Sequence, residues 1–202
     1  MTAAIVTKSA GGSVLPRSFY ARDTVTVARD LLGKVLAHGP LAGRIVEVEA
    51  YLGVGDRAAH SFRGVTPRTR VIFGPPGHAY VYFIYGMHEC LNIVAEPEGV
   101  AGCVLIRALE PVSGVAEMRE RRPRVKRVEE LANGPGKLTL AMGIDRRHYG
   151  ADLTAAQGSL TVRDSGAADL DIVATTRIGI RESAELPLRF YVAGSASVSC
   201  LV

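Results

Sequence analysis

Residues 44–52 read Arg-Ile-Val-Glu-Val-Glu-Ala-Tyr-Leu, a β-prone run whose side chains alternate between two faces when the chain is extended. Val46, Val48, Ala50 and Leu52 then share an apolar face, and Glu47, Glu49 and Tyr51 share the opposite one. Two carboxylates at i and i+2 on a strand stand ~7 Å apart. That overlaps the roughly 6.5–9.5 Å at which a general acid and a general base act in inverting cleavage of a glycosidic bond. The same pattern equally describes the solvent face of a half-buried sheet, so the pair alone leaves both readings open. A following loop adds Asp56, His60 and Arg63, which would bring more polar groups to the rim beside Tyr51.

The second chemically rich run is Tyr80-Val81-Tyr82-Phe83-Ile84-Tyr85-Gly86, in a chain that has no tryptophan. By parity Tyr80, Tyr82 and Ile84 face one way and Val81, Phe83 and Tyr85 the other. Gly86 permits a turn directly after Tyr85, placing that ring at a hairpin tip, where it is either ordinary strand core or a wedge for a base stack. Other chemistries lack their residues. His88-Glu89 has Asn92 where a zinc-protease helix needs its second histidine. Gly134-Pro135-Gly136-Lys137 is too short for a phosphate-binding loop, although it can cap a helix and touch a backbone phosphate. Of the four lysines only Lys137 has a claim on Schiff-base chemistry.

These residues need a scaffold, and 202 residues that are 48% hydrophobic and 22% charged can build one domain with a sizeable core. The expected class is α+β: a single compact domain with a mostly antiparallel curved sheet, surrounding helices and a protruding β-hairpin. Residues 1–13 form a flexible tail and 14–202 the domain. Asp23 or Thr24 caps a first helix stopped by Gly33, and residues 34–38 and 44–52 make a hairpin around Gly39-Pro40 and Gly43. Further strands are expected over 80–86, 91–95, 103–109 and in the last forty or so residues. Short helices are expected after a Ser113 cap and over 128–132 and 137–144. The net charge of +4 matters because the cations cluster. Arg63, Arg68 and Arg70 crowd one segment, while Arg119, Arg121, Arg122, Arg124, Lys126 and Arg127 crowd another, as a solvated helix face or a phosphate-tracking arm. Three scattered cysteines, Cys90, Cys103 and Cys200, imply neither a disulfide framework nor a zinc cluster. With no signal segment and no long apolar run, the protein is expected to be intracellular, cytoplasmic or nuclear, and away from membranes.

A set of ordered motifs spans most of the chain: Glu47-Val48-Glu49-Ala50-Tyr51-Leu52-Gly53, Ala58-Ala59-His60-Ser61, Thr66-Pro67-Arg68, Tyr80-Val81-Tyr82 with Tyr85-Gly86-Met87 and Asn92, residues 104–111, and Gly134-Pro135-Gly136-Lys137-Leu138. In order and spacing it resembles the mammalian-type 3-methyladenine (alkyladenine) DNA glycosylases. The resemblance implies a monofunctional enzyme of base excision repair, without lyase activity, metal or cofactor. Such an enzyme acts as a monomer on double-stranded DNA, flipping out damaged purines (3-methyladenine, 7-methylguanine, hypoxanthine, ethenoadenine) and hydrolysing the N-glycosidic bond. By position Glu49 resembles the general base and Arg107 its partner in holding the water. Tyr51, His60, Tyr82, Asn92 and Leu105 correspond to the base pocket, Tyr85 and Met87 to the groove insertion. Arg63, Arg68, Arg70 and Lys137 are the expected backbone contacts. His88 departs from the aromatic residue expected beside the inserting tyrosine. A non-catalytic binder of damaged DNA on the same scaffold is the alternative, and retention of Glu49 argues against it.

Overall fold

The computed structural model describes residues 12–84, 86–167 and 169–199. After a short turn of helix, α1 (Arg17–Tyr20), the chain forms α2 (Thr24–Leu31), whose start is fixed by Asp23 accepting the Thr26 N–H at 2.9 Å. Val27, Ala28 and Leu31 are its buried stripe, and Gly33 at φ +82° turns the chain into the first strand. Strands β1 (Val35–His38) and β2 (Leu41–Tyr51) are joined by Gly39-Pro40 alone, a tighter connection than the sequence implies, because β2 begins at Leu41.

Residues 53–69 hold no strand or helix and lead into a 3-10 turn at Arg70–Phe73. Next come β3 (Ala79–Ile84) and β4 (His88–Val94), paired antiparallel from Ala79 opposite Ile93 to Ile84 opposite His88. Strand β5 (Cys103–Ser113) precedes α3 (Val115–Arg121), a 3-10 turn at Val128–Glu130 and α4 (Pro135–Met142). Ser113 does not cap α3 as its position predicts. Its hydroxyl donates to the Pro40 carbonyl at 3.0 Å, and Gly114 at φ +70° occupies the cap position. Strands β6 (Leu160–Arg163), β7 (Ile172–Thr175) and β8 (Arg189–Val192) complete the set.

All pairings are antiparallel, and together the strands form one curled eight-stranded sheet in the order β3-β4-β5-β2-β1-β6, with β8 on β2 and β7 on β8. The architecture is thus the α+β fold expected. Strand β2 is its spine: one edge carries β5, while the other is shared by β1 along its first half and β8 along its second. Between β2 and β5 the register slips three times, skipping Val46 on β2 and, on β5, Arg107 and, near the end of the pairing, Val112. Each skipped residue is a β-bulge, which re-aims a side chain without ending the pairing. The first bulge breaks the simple alternation. Ile45 rather than Val46 joins Val48 and Ala50 in the main core, where Leu31 of α2 and Leu138 and Met142 of α4 also lie. Helices on that side leave the other face of β2 to β5 free for polar work.

Candidate active site

Glu47 and Glu49 are both fully buried, which removes the solvent-face reading of their strand. A segment more than a hundred residues away covers them. Glu47 Oε1 accepts from Arg107 Nε at 3.0 Å, Arg189 Nη1 at 2.8 Å and the Ser199 hydroxyl at 2.8 Å, while Oε2 accepts the Ser199 N–H at 2.7 Å. That carboxylate is enclosed by four donors and does not line the cleft described below. Glu49 is held differently. Its Oε1 takes the Ile178 N–H at 2.8 Å and faces Arg107 Nη1 at 3.1 Å, and its Oε2 takes only the Tyr51 hydroxyl at 2.9 Å. A carboxylate has about four acceptor positions, so Oε2 keeps one for a further donor such as water.

Arg107, set at the second bulge, thus bridges two carboxylates with its Nε and Nη1. Burial opposes its charge, but Glu49 and Glu47 outweigh burial and raise its pKa above the ordinary arginine value. The guanidinium is therefore a permanent cation that positions Glu49. The Tyr51 phenol is pushed up by burial first and by the Glu49 charge second, so it remains a donor to that carboxylate.

Glu49 opens on a cleft of about 360 Å³, a volume suited to one small planar ligand. Tyr51, His60, Tyr82, Asn92, Leu105 and Arg107 share its wall, so seven of the residues singled out in the sequence meet in one place. Strand geometry achieves this. Tyr82 sits opposite Cys90, Asn92 opposite Leu105, and Leu105 opposite Glu49, so one row of neighbours crosses β4, β5 and β2. Asn92 Nδ2 donates to the Tyr80 carbonyl at 3.2 Å, which fixes the amide orientation. His60 and Tyr82 stack edge to face with centroids 4.6 Å apart. Lost hydration, then the nearby Arg68 charge, lowers the His60 pKa to about 4, so its imidazole is neutral near pH 7.

Tyr80, assigned by the sequence reading to the core alone, is buried but also lines the cleft, its hydroxyl 2.9 Å from His60 Nδ1. Parity with Tyr82 was the available signal for it. His88 lines the cleft too, packed so closely on Gly136 that a Cβ there would lie 2.8 Å from the imidazole. Ile178, Gly179 and Ile180 close the cleft from the C-terminal segment, and nothing in their local sequence marks them. The same holds for Arg177, whose fully buried side chain grips Asp56 with bonds of 2.6 and 2.8 Å and donates to the Ala50 carbonyl at 3.0 Å.

Of the residues expected at nucleic acid, those described lie outside the cleft. Tyr85 is outside the described residues, and its neighbour Met87 is 69% exposed. Arg63, Arg68 and Arg70 are all exposed, as is Lys137, whose ammonium donates to Asn133 Oδ1 at 2.9 Å away from the cleft. The denser basic run behaves unlike a free arm. Arg119 donates to the carbonyls of Val125 and Lys126, Arg121 to that of Ala141, and Arg122 to those of Glu130 and Leu131. Only Arg124, Lys126 and Arg127 of this run present exposed side chains.

Comparison with known proteins identifies a family. Residues 18–196 match the sequence profile of the family described as methylpurine-DNA glycosylase. A relative from Methanoculleus marisnigri named "Putative 3-methyladenine DNA glycosylase" is 55% identical over 192 residues, covering 92% of this chain and 98% of the relative. Relatives with the same name from Koribacter versatilis and Burkholderia lata are each 50% identical, covering 92% and 93% of this chain and 92% of each relative. With a match over nearly its whole length, this chain belongs to the methylpurine-DNA glycosylase family, a family of DNA-repair hydrolases.

Proposed function

We propose that this chain is a monofunctional DNA glycosylase that flips a damaged purine out of duplex DNA and hydrolyses its N-glycosidic bond. The relatives' name points to 3-methyladenine, and the resemblance to the alkyladenine glycosylases extends the reading to 7-methylguanine, hypoxanthine and ethenoadenine. The observation that carries the reading is Glu49: a buried carboxylate, fixed by three donors, with one acceptor position left on the wall of an aromatic cleft.

In this reading Glu49 Oε2 accepts a hydrogen bond from a water and takes its proton as the water oxygen bonds to the sugar C1′. The C1′–N9 bond breaks and its electrons leave with the purine. Positive charge that builds on the sugar is stabilised by the same carboxylate. Arg107 keeps Glu49 oriented and helps hold the water. Tyr51, His60 and Tyr82 enclose the flipped base. Asn92 and Leu105 crowd the position of the exocyclic amine of normal guanine. Tyr85 and Met87 fill the gap in the stack, and Arg63, Arg68, Arg70 and Lys137 meet phosphates of a DNA bound by a monomer. Flipping costs a few kcal/mol and is cheapest for a damaged, poorly paired base. Base loss leaves an intact strand, since no lysine among the described residues lines the cleft to attack C1′.

The test is release of free hypoxanthine or 3-methyladenine from a lesion duplex under single-turnover conditions. Glu49→Gln keeps the shape and should lower the rate by at least 10²-fold, the scale of general-base catalysis. Base release by Glu49→Gln at the wild-type rate would overturn the mechanism, and strand cleavage without alkali would overturn the monofunctional assignment.

A further inference from the structure

We propose that two arginines placed behind the cleft tyrosines, Arg68 behind Tyr82 and Arg177 behind Tyr51, bias base selection toward neutral purines and against cationic ones. The inference rests on reading the cleft as the purine pocket. The Arg68 guanidinium carbon lies 5.2 Å from the Tyr82 ring centroid, and that of Arg177 lies 4.7 Å from the Tyr51 centroid. Both rings line the cleft, yet neither arginine does. Arg177 is held in the interior by Asp56, and Arg68 borders a separate depression that shares Tyr82 with the cleft. Each ring therefore adjoins both a guanidinium and the ligand space.

An aromatic face attracts a cation through its quadrupole. A guanidinium already on one face draws π density toward itself and leaves the opposite face less negative. Its charge also repels a second cation directly across the ring. A purine methylated at N7 or N3 carries a positive charge while still bonded to the sugar, so it meets both penalties. Hypoxanthine and ethenoadenine stack by dispersion and offset packing, which the arginines leave intact. A tyrosine-rich pocket by itself favours cationic bases, and the guanidiniums beside the rings reverse that preference in part.

The two arginines differ in weight. Arg177 is neutralised by the Asp56 carboxylate, and its ring, Tyr51, donates to the Glu49 carboxylate, which restores electron density. Arg68 makes no ion pair among the described residues. Its charge is also felt inside the cleft, where it joins lost hydration in opposing protonation of His60. Within the protein Arg68 is thus the less compensated of the two and, being exposed, the one that can be changed without disturbing the core.

The experiment compares single-turnover release of 7-methylguanine and hypoxanthine from otherwise identical duplexes by wild type, Arg68→Gln and Arg68→Lys. Loss of a phosphate contact weakens both substrates alike and cancels in their ratio. Arg68→Gln is expected to raise the 7-methylguanine to hypoxanthine ratio about fivefold, which is about 1 kcal/mol. Arg68→Lys, which keeps the charge, is expected to stay within about twofold of the wild-type ratio. An unchanged or lowered ratio in Arg68→Gln would overturn the inference, and so would an equal rise in Arg68→Lys, because charge would then not be the cause. Failure of the wild type to release either base would instead overturn the purine pocket itself, and this inference with it.

Discussion

Two glutamates two residues apart on one strand have opposite fates because their partners differ. Glu47 is surrounded by Arg107, Arg189 and Ser199 and lies off the cleft, whereas Glu49 keeps an acceptor position on its wall. This excludes a paired-carboxylate mechanism, since the second acid cannot reach a bond held in the cleft. Glu47 is instead the counter-charge for two buried arginines, and removing one partner of such a network leaves a buried charge uncompensated. Glu47→Gln is accordingly expected to destabilise the fold by about 3–5 kcal/mol, a lowered denaturant midpoint being the readout. A midpoint equal to wild type would show that Arg107 and Arg189 do not depend on it.

At the scale of elements, period two in the strands was enough to align most of the cleft. Glu49 and Tyr82 could be placed by counting strand faces, whereas Asn92 and Leu105 were legible only through the family resemblance. Counting failed where a bulge intervened, as with Val46, and where a side chain found a better partner than the helix end, as with Ser113. It also failed for the arginines of α3 and the loop after it, which look like an arm for phosphate yet saturate carbonyls at the ends of neighbouring elements. Arg122→Ala is expected to cost about 1–2 kcal/mol, lowering Tm by about 2–8 °C in a chain of this size while leaving the salt dependence of DNA binding unchanged. Neutralising an exposed cation that meets a phosphate should instead flatten the slope of log K against log salt by about one. A flattened slope in Arg122→Ala would return that residue to the DNA face.

For the whole molecule, pH acts on stability through His60. Its pKa is about 4 when folded against an ordinary 6.5, so the unfolded chain binds the extra proton first as pH falls. The His60 contribution is complete above about pH 6.5, declines as pH falls toward 4 and changes no further below that. Arg68→Gln removes one of the two causes of the low pKa and should move the imidazole titration upward, as read by the ring NMR shifts. A titration near 6.5 in the wild type would refute the cleft electrostatics described here.

The sequence by itself determined the strands and the polar face of β2, because periodicity and turn residues act within a few positions along the chain, and its family resemblance singled out Glu49 and the pocket rings. Only the tertiary structure decided that this face is buried, that one carboxylate is locked while the other is left able to accept, and which cations stand behind the rings. The physical reason is distance along the chain. Glu47 meets Ser199 across 152 positions and Asp56 meets Arg177 across 121, and no local pattern records a partner brought in by the closing of the sheet.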